Sequence, residues 1–278
     1  MKKYTFQNIF PLIILFLLIF AIYFIRKKSL RKLDKKYFSN EKYNSNGKII
    51  CSLSTIPERI EKGTIEKTLK SIDEQTLKPD IIYINISREL KGKKYDIEKL
   101  QNISNKYKNI KINIIEKDMG PITKIIPILK FLNDNDKVIL VDDDVKYDSK
   151  TFELLYNSNK DAVGFTGLID TRNGYDYIQN VENEKEVDVL ETYHCVLYSA
   201  SLLKDLDFYN ENLGDLCYFQ DDIKLSKYFS EKGIKKYVIP KCENMKTEHN
   251  AEDTPELRND NLQNGNKNCL RILFPKFN

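Results

Sequence analysis

Between residues 49 and 141, short apolar runs alternate with stretches whose apolar residues recur three or four positions apart. The runs are Ile49–Ser54, Asp80–Ile86, Ile110–Ile115 and Lys137–Val141, each with the length and content of a buried strand. Ile65, Leu69 and Ile72 fall on one face of a helix over Thr64–Gln75, with Thr64 as its N-cap. A polar helix is expected over about Tyr95–Tyr107 and a third over Ile122–Leu132. The alternation β-α-β-α-β-α-β predicts an α/β fold, a mostly parallel, Rossmann-like sheet flanked by helices. Such sheets bind ligands beyond the carboxyl ends of their strands, where strand order reverses. Functional residues are therefore sought just after the strands.

The N-terminus has a different pattern. Ile9–Ile25 is an uncharged apolar run bounded by Lys3 and Arg26, long enough for a short transmembrane helix. It ends in Tyr23-Phe24-Ile25 and a basic cluster, not the small residues of a signal-peptide cleavage site. This divides the chain into an anchor over 1–25, a basic stalk over 26–48 and a globular domain over 49–278. Arg26, Lys27, Lys28, Arg31, Lys32, Lys35 and Lys36 outnumber Lys2 and Lys3 before the run. The charge bias predicts a single-pass membrane protein whose domain faces the cytoplasm; a lumenal, Golgi-type (type II) arrangement is the alternative.

Composition adds limits. The net charge of +4 is slight and dispersed over 278 residues, unlike the concentrated basic face of a nucleic-acid binder. No glycine-rich phosphate loop of the G-x-G-x-x-G or Walker type occurs, which counts against dinucleotide and P-loop enzymes. The five cysteines lack C-x-x-C spacing and are expected to be buried thiols, with one disulfide open if the domain faces an oxidising compartment.

Two acidic clusters carry the chemistry. Asp142-Asp143-Asp144 follows the most apolar strand directly. Packing three carboxylates there incurs repulsion that a divalent cation relieves, and hard oxygen ligands suit Mn²⁺ or Mg²⁺. Gln220-Asp221-Asp222 opens an amphipathic stretch over Ile223–Lys232. Capping of that helix is the plain explanation, and general-base catalysis the functional one.

In this order the features resemble GT-A nucleotide-sugar glycosyltransferases, especially glycosyltransferase family 2. Ser54-Thr55-Ile56-Pro57-Glu58-Arg59 matches the loop after the first strand, and Ser71-Ile72-Asp73-Glu74-Gln75-Thr76 the end of the first helix. Asp142-Asp143-Asp144 matches the D-x-D motif and Asp221-Asp222 the "ED" base motif. Asp118-Met119-Gly120-Pro121-Ile122-Thr123-Lys124 resembles a D-x-G-P-x-T-K run that lines the donor pocket of some members. The resemblance implies that Asp142 and Asp144 hold the metal, with His249 as an additional ligand. It places Asp143 near the ribose or sugar, and Thr55, Arg59 and Lys124 against the nucleotide. Asp222 becomes the base and Asp221 an acceptor contact. Two adjacent carboxylates depart from the usual pair and leave the base assignment open. His194 sits in an apolar segment and is expected to be structural.

The implied activity is metal-dependent transfer of a hexosyl group from a nucleotide-sugar to a hydroxyl of a glycan, polysaccharide or lipid-linked acceptor, with inversion. The rivals are a Mg²⁺-dependent phosphotransferase or nucleotidyltransferase, and a membrane-tethered carbohydrate-binding protein without activity.

Overall fold

The computed structural model describes residues 14–25, 27–28, 47–171, 174–242, 245–249 and 265–275. The chain divides into two compact units, Tyr43–Lys241 with Met245–Asn278, and Met1–Lys42 with Cys242–Asn244. In the smaller unit, residues 14–25 are helical and exposed. Among the described residues no helix is long and apolar enough to cross a membrane. Residues 1–13 of the expected anchor, and all of the stalk except 27–28 and 47–48, lie outside them.

The larger unit is built on four strands in the expected places. They are β1 (Ile49–Ser54), β2 (Ile81–Ser87), β5 (Ile110–Ile115) and β6 (Lys137–Leu140), with a small hairpin, β3 (Glu89–Leu90) and β4 (Lys93–Lys94), between the second and third. β1 and β2 are buried almost throughout, as unbroken Ile-rich runs require when both faces are covered. Further on come β7 (Val145–Lys146), β8 (Ala162–Gly164), β9 (Thr166–Thr171), β10 (Gly174–Gln179), β11 (Lys185–Val187) and β12 (Val189–Leu190). β13 (Val196–Ser199), β14 (Lys236–Val238) and β15 (Glu248–His249) complete the set. The central sheet has eight strands in the order β11-β14-β8-β13-β6-β1-β2-β5. Pairs within β6-β1-β2-β5 are parallel, as is β14 with β8, whereas β13 and β11 pair antiparallel. A three-stranded sheet, β10-β9-β12, stands apart.

The chain steps outward from β1 to β2 and β5, then crosses back to place β6 on the other side of β1. Strand order therefore reverses between β1 and β6. Two aspartates fasten the opposite end: Asp80 accepts from Ile49 N–H (2.7 Å) and Asp136 from Lys48 N–H (2.8 Å).

Three local expectations need correction. The helix over Thr64–Asp73 starts from Gly63, in the left-handed region at φ +73°, and Thr64 is its first residue, not its cap. Ile122–Leu132 is not α-helical. It forms two 3₁₀ segments, Gly120–Lys124 and Ile126–Phe131. Pro127 explains the break, since it has no N–H and its ring would collide with the carbonyl of Thr123 in an α-helix. The cysteines are not all thiols: Cys217 and Cys269 form a disulfide, while Cys51 and Cys195 are free and buried.

The helix Asp221–Glu231 buries Leu225, Tyr228 and Phe229 in the main core with Val138, Leu140, Val196 and Tyr198. Each fully buried side chain of this kind contributes about 1.5–3 kcal/mol. The helix start is thereby fixed close to the end of β6.

Candidate active site

β6 delivers Val141 into the core, after which the chain turns through Asp142, Asp143 and Asp144. One face of the Thr64–Asp73 helix and its continuation holds this turn. Thr68 Oγ1 donates to the Asp143 carbonyl (2.9 Å), and Ser71 Oγ accepts from Tyr147 N–H (3.1 Å). Buried Gln75 donates to the Asp148 carbonyl (2.7 Å) and accepts from Phe152 N–H (3.0 Å). Residues 68, 71 and 75 recur at helical spacing, so one stripe scaffolds the whole turn. Tyr147 closes it from within, its hydroxyl accepting from Asp142 N–H (2.8 Å).

Two cations neutralise part of the acidic charge. Arg59, in the short helix Pro57–Glu61 after β1, spreads its guanidinium over Asp143 and Asp144, the latter at 2.7 Å. Burial alone would lower the Arg59 pKa; Asp143, Asp144 and Asp142 outweigh it and raise it. Asp144 is pushed up to about 6 by burial and by its neighbours Asp143 and Asp142, against the pull of Arg59. Lys124 lies buried at the end of its 3₁₀ segment. Its backbone carbonyl accepts from Ser52 Oγ (2.5 Å) on β1, and Asn85 on β2 donates to that same hydroxyl oxygen (2.9 Å). Its ammonium sits 2.7 Å from Asp142 and 2.9 Å from Asp221. Burial opposes that charge, yet Asp142, Asp221 and Asp222 hold its pKa well above the ordinary lysine range.

Lys124 thus joins the two acidic clusters. Asp221 and Asp222 occupy the first turn of their helix, where the dipole favours negative charge. Gln220 precedes them without a side-chain cap. Thr192, in a 3₁₀ turn before β13, donates its N–H (3.1 Å) and its hydroxyl (2.5 Å) to Asp222 Oδ1. Burial, and then Asp221, push the Asp222 carboxyl well above the ordinary range.

His249 reaches the same place from the far end of the chain. β15 pairs antiparallel with β7, which sets His249 opposite Val145, the residue after Asp144. Its ring stacks on Tyr193, centroids 4.4 Å apart. Thr55, directly after β1, is buried; its hydroxyl has no hydrogen-bond partner among the described residues, and its carbonyl accepts from Tyr95 (3.1 Å). The structure therefore gathers Arg59, Lys124, the two aspartate clusters and His249 around the ends of β1 and β6. Thr192, Thr68 and Tyr147 are partners that pattern reading does not supply, because their contacts depend on tertiary placement.

Among the described residues, no three His, Cys, Asp or Glu side chains already stand as a metal-binding cluster. The donor chemistry nevertheless fits a hard divalent ion. Among the described residues the ion pairs of Asp142, Asp143, Asp144 and Asp221 are made by just two cations, Arg59 and Lys124, and Asp143 Oδ2 has no hydrogen-bond partner there. Carboxylate oxygens with one imidazole suit Mn²⁺ or Mg²⁺.

Two substitutions test the packing around the site. Gly120 has φ +71°, and a Cβ there would lie 2.7 Å from the Tyr218 carbonyl oxygen. Tyr218 in turn donates to Asp118. Gly120→Ala is expected to cost about 1–3 kcal/mol in a denaturant titration. His194 is buried, and burial, followed by repulsion from Lys241 and His249, lowers its pKa to about 4. The unfolded chain, with a His pKa near 6.5, binds the extra proton first. Stability is therefore full above about pH 6.5 and lost as pH falls toward about 4, by on the order of 2–3 kcal/mol. His194→Gln should flatten that loss in melts followed across this window.

No known family model matches the chain, and no curated protein does. Among solved structures it is similar to GalNAc-T7 with UDP, GalNAc and Mn²⁺, at 11% identity and TM-score 0.51 over 75% of this chain and 44% of that one. It is also similar to TarS 1–349 of S. aureus in complex with UDP (18% identity, TM-score 0.47, 71% of this chain, 58% of that one). A 4-diphosphocytidyl-2C-methyl-D-erythritol synthase from Anaerococcus prevotii matches over 70% of this chain and 88% of its own (15% identity, TM-score 0.46). The chain thus spans about half the length of the GalNAc-T7 and TarS chains. At such identities the likeness is one of architecture, the GT-A fold, which here contains a parallel β5-β2-β1-β6 half-sheet.

Proposed function

We propose that this chain is a glycosyltransferase that moves a sugar from a nucleoside-diphosphate donor to a hydroxyl of a glycan or lipid-linked acceptor, with inversion. The observation that carries the reading is the Lys124 ammonium, within 3 Å of both Asp142 and Asp221. It ties the acidic turn at the switch point to the carboxylates on the facing helix, which would set a diphosphate-binding end beside a base.

In this reading the acceptor oxygen attacks the anomeric carbon while its proton passes to Asp222. The bond from that carbon to the diphosphate breaks, and its electron pair leaves with the nucleotide. Asp222 suits the base role because its raised pKa strengthens it as a proton acceptor once ionised. Asp221 is held by Lys124 and faces the acceptor side. Arg59 orients Asp143 and Asp144 and contributes positive charge to the donor end, with Thr55 lining the nucleotide pocket. Asp142, Asp144 and His249 would hold Mn²⁺ or Mg²⁺. The ion would supply charge to the leaving diphosphate. The Cys217–Cys269 bridge favours an oxidising compartment, and so the lumenal arrangement, over the cytoplasmic side expected from charge bias. The apolar N-terminal run would keep the enzyme beside a lipid-linked or surface glycan.

Binding tests this reading. UDP, GDP, CDP and dTDP titrated calorimetrically should include one that binds only with Mn²⁺ or Mg²⁺, and Asp144→Ala should weaken it at least tenfold. Metal-independent binding, unchanged in Asp144→Ala, would remove the metal assignment.

A further inference from the structure

We propose that Thr192 is a positioning residue that determines which oxygen of Asp222 receives the acceptor's proton. This rests on the reading of Asp222 as the base. Thr192 directs two donors at a single oxygen, Asp222 Oδ1: its N–H at 3.1 Å and its hydroxyl at 2.5 Å. The hydroxyl cannot turn its proton elsewhere. Lys124 Nζ lies 3.0 Å from Oγ1, and an ammonium has only donors, so the hydroxyl accepts from Lys124 and must donate toward Asp222. Buried Lys124, held by Asp142 and Asp221, thus fixes the direction of a hydrogen bond to a third aspartate.

With Oδ1 accepting twice, Oδ2 keeps its lone pairs. Among the described residues no hydrogen bond reaches it. The acceptor O–H bond breaks toward Oδ2 as the bond to the anomeric carbon forms. The groups facing Asp222 are Asp221 and Glu191, which favour its protonated form, Lys124, which favours the carboxylate, and the phenol of Tyr198. Thr192 acts on the side of Lys124, because hydrogen bonds to a carboxylate stabilise the charged form.

Carboxyl ¹³C NMR titration of the full-length chain tests this without any ligand, with Asp222→Asn identifying the Asp222 signal. Thr192→Val keeps the side-chain volume and the backbone N–H but removes the hydroxyl donor. It should raise the proton affinity of Asp222 about 10–100-fold, the effect of losing a hydrogen bond to a charged group. Thr192→Ser should restore the wild-type titration, and Thr192→Ala should shift it as Val does. An Asp222 that titrates unchanged in the Val and Ala variants overturns the proposal. Turnover of UDP-GlcNAc with Mn²⁺ provides the second arm. The Val variant should lose about 10–100-fold in kcat near pH 7, with KM within about twofold and an acid limb moved to higher pH. A shifted titration combined with full turnover in Asp222→Asn would instead sink the base assignment and leave only the hydrogen-bond geometry.

Discussion

Asp222→Asn is expected to lower turnover by about 10²–10⁴-fold, the range for loss of a general base, while donor affinity stays within about twofold. Asn keeps the shape of the side chain and an oxygen that can accept both donors from Thr192, so the helix start is preserved. It cannot take a proton. The pH profile gives a second readout. Because burial and Asp221 raise the Asp222 pKa, the base is ionised only above the ordinary carboxylate range, and wild-type turnover should climb with pH through that limb. The limb should vanish from whatever activity Asp222→Asn retains. Loss of donor binding in this variant would show that Asp222 serves the donor and not the acceptor.

Lys124→Met should have the largest effect on stability. Methionine matches the length of the stem but leaves buried Asp221 and half-buried Asp142 without their shared counter-ion. Removing one partner of a buried ion pair costs about 3–5 kcal/mol, because the remaining charge stays buried. For a domain of this size that lowers the melting temperature by roughly 10 °C. Adding Asp221→Asn removes one uncompensated charge and should recover part of the loss, a coupling that a double-mutant cycle measures. If Lys124→Met melts like wild type, the ammonium is not the link between the clusters.

Much of this architecture is legible in the chain. β1 and β5 fall within the expected spans, because Ile-rich runs bounded by polar residues leave a buried strand as the economical solution. The acidic turn at the switch point was legible for the same reason, since it directly follows an apolar strand. The family resemblance singles out His249 by its place near the C-terminal end, and the β15–β7 pairing sets it opposite Val145, the residue after Asp144. The segment at Ile122–Leu132 misled because its apolar spacing imitates a helix, while Pro127 forbids the continuous hydrogen bonding one needs. Lys124 read as a cation facing the nucleotide. Nothing local reveals that Ser52 and Asn85 pin its backbone, or that two distant aspartates surround its ammonium. The pairing of Cys217 with Cys269, 52 residues apart, likewise depends on how the C-terminal helix packs. Thr192 carries no signal at all, since its role exists only through the approach of a helix 30 residues further along the chain.

Incubating the full-length chain with a panel of nucleotide-sugars, with and without Mn²⁺, and identifying the products tests the central claim most directly. The account predicts metal-dependent release of free sugar and nucleoside diphosphate from one donor, abolished in Asp144→Ala. Release of nucleoside monophosphate and sugar phosphate would contradict it, because the broken bond would then be the one between phosphates and not the one at the anomeric carbon.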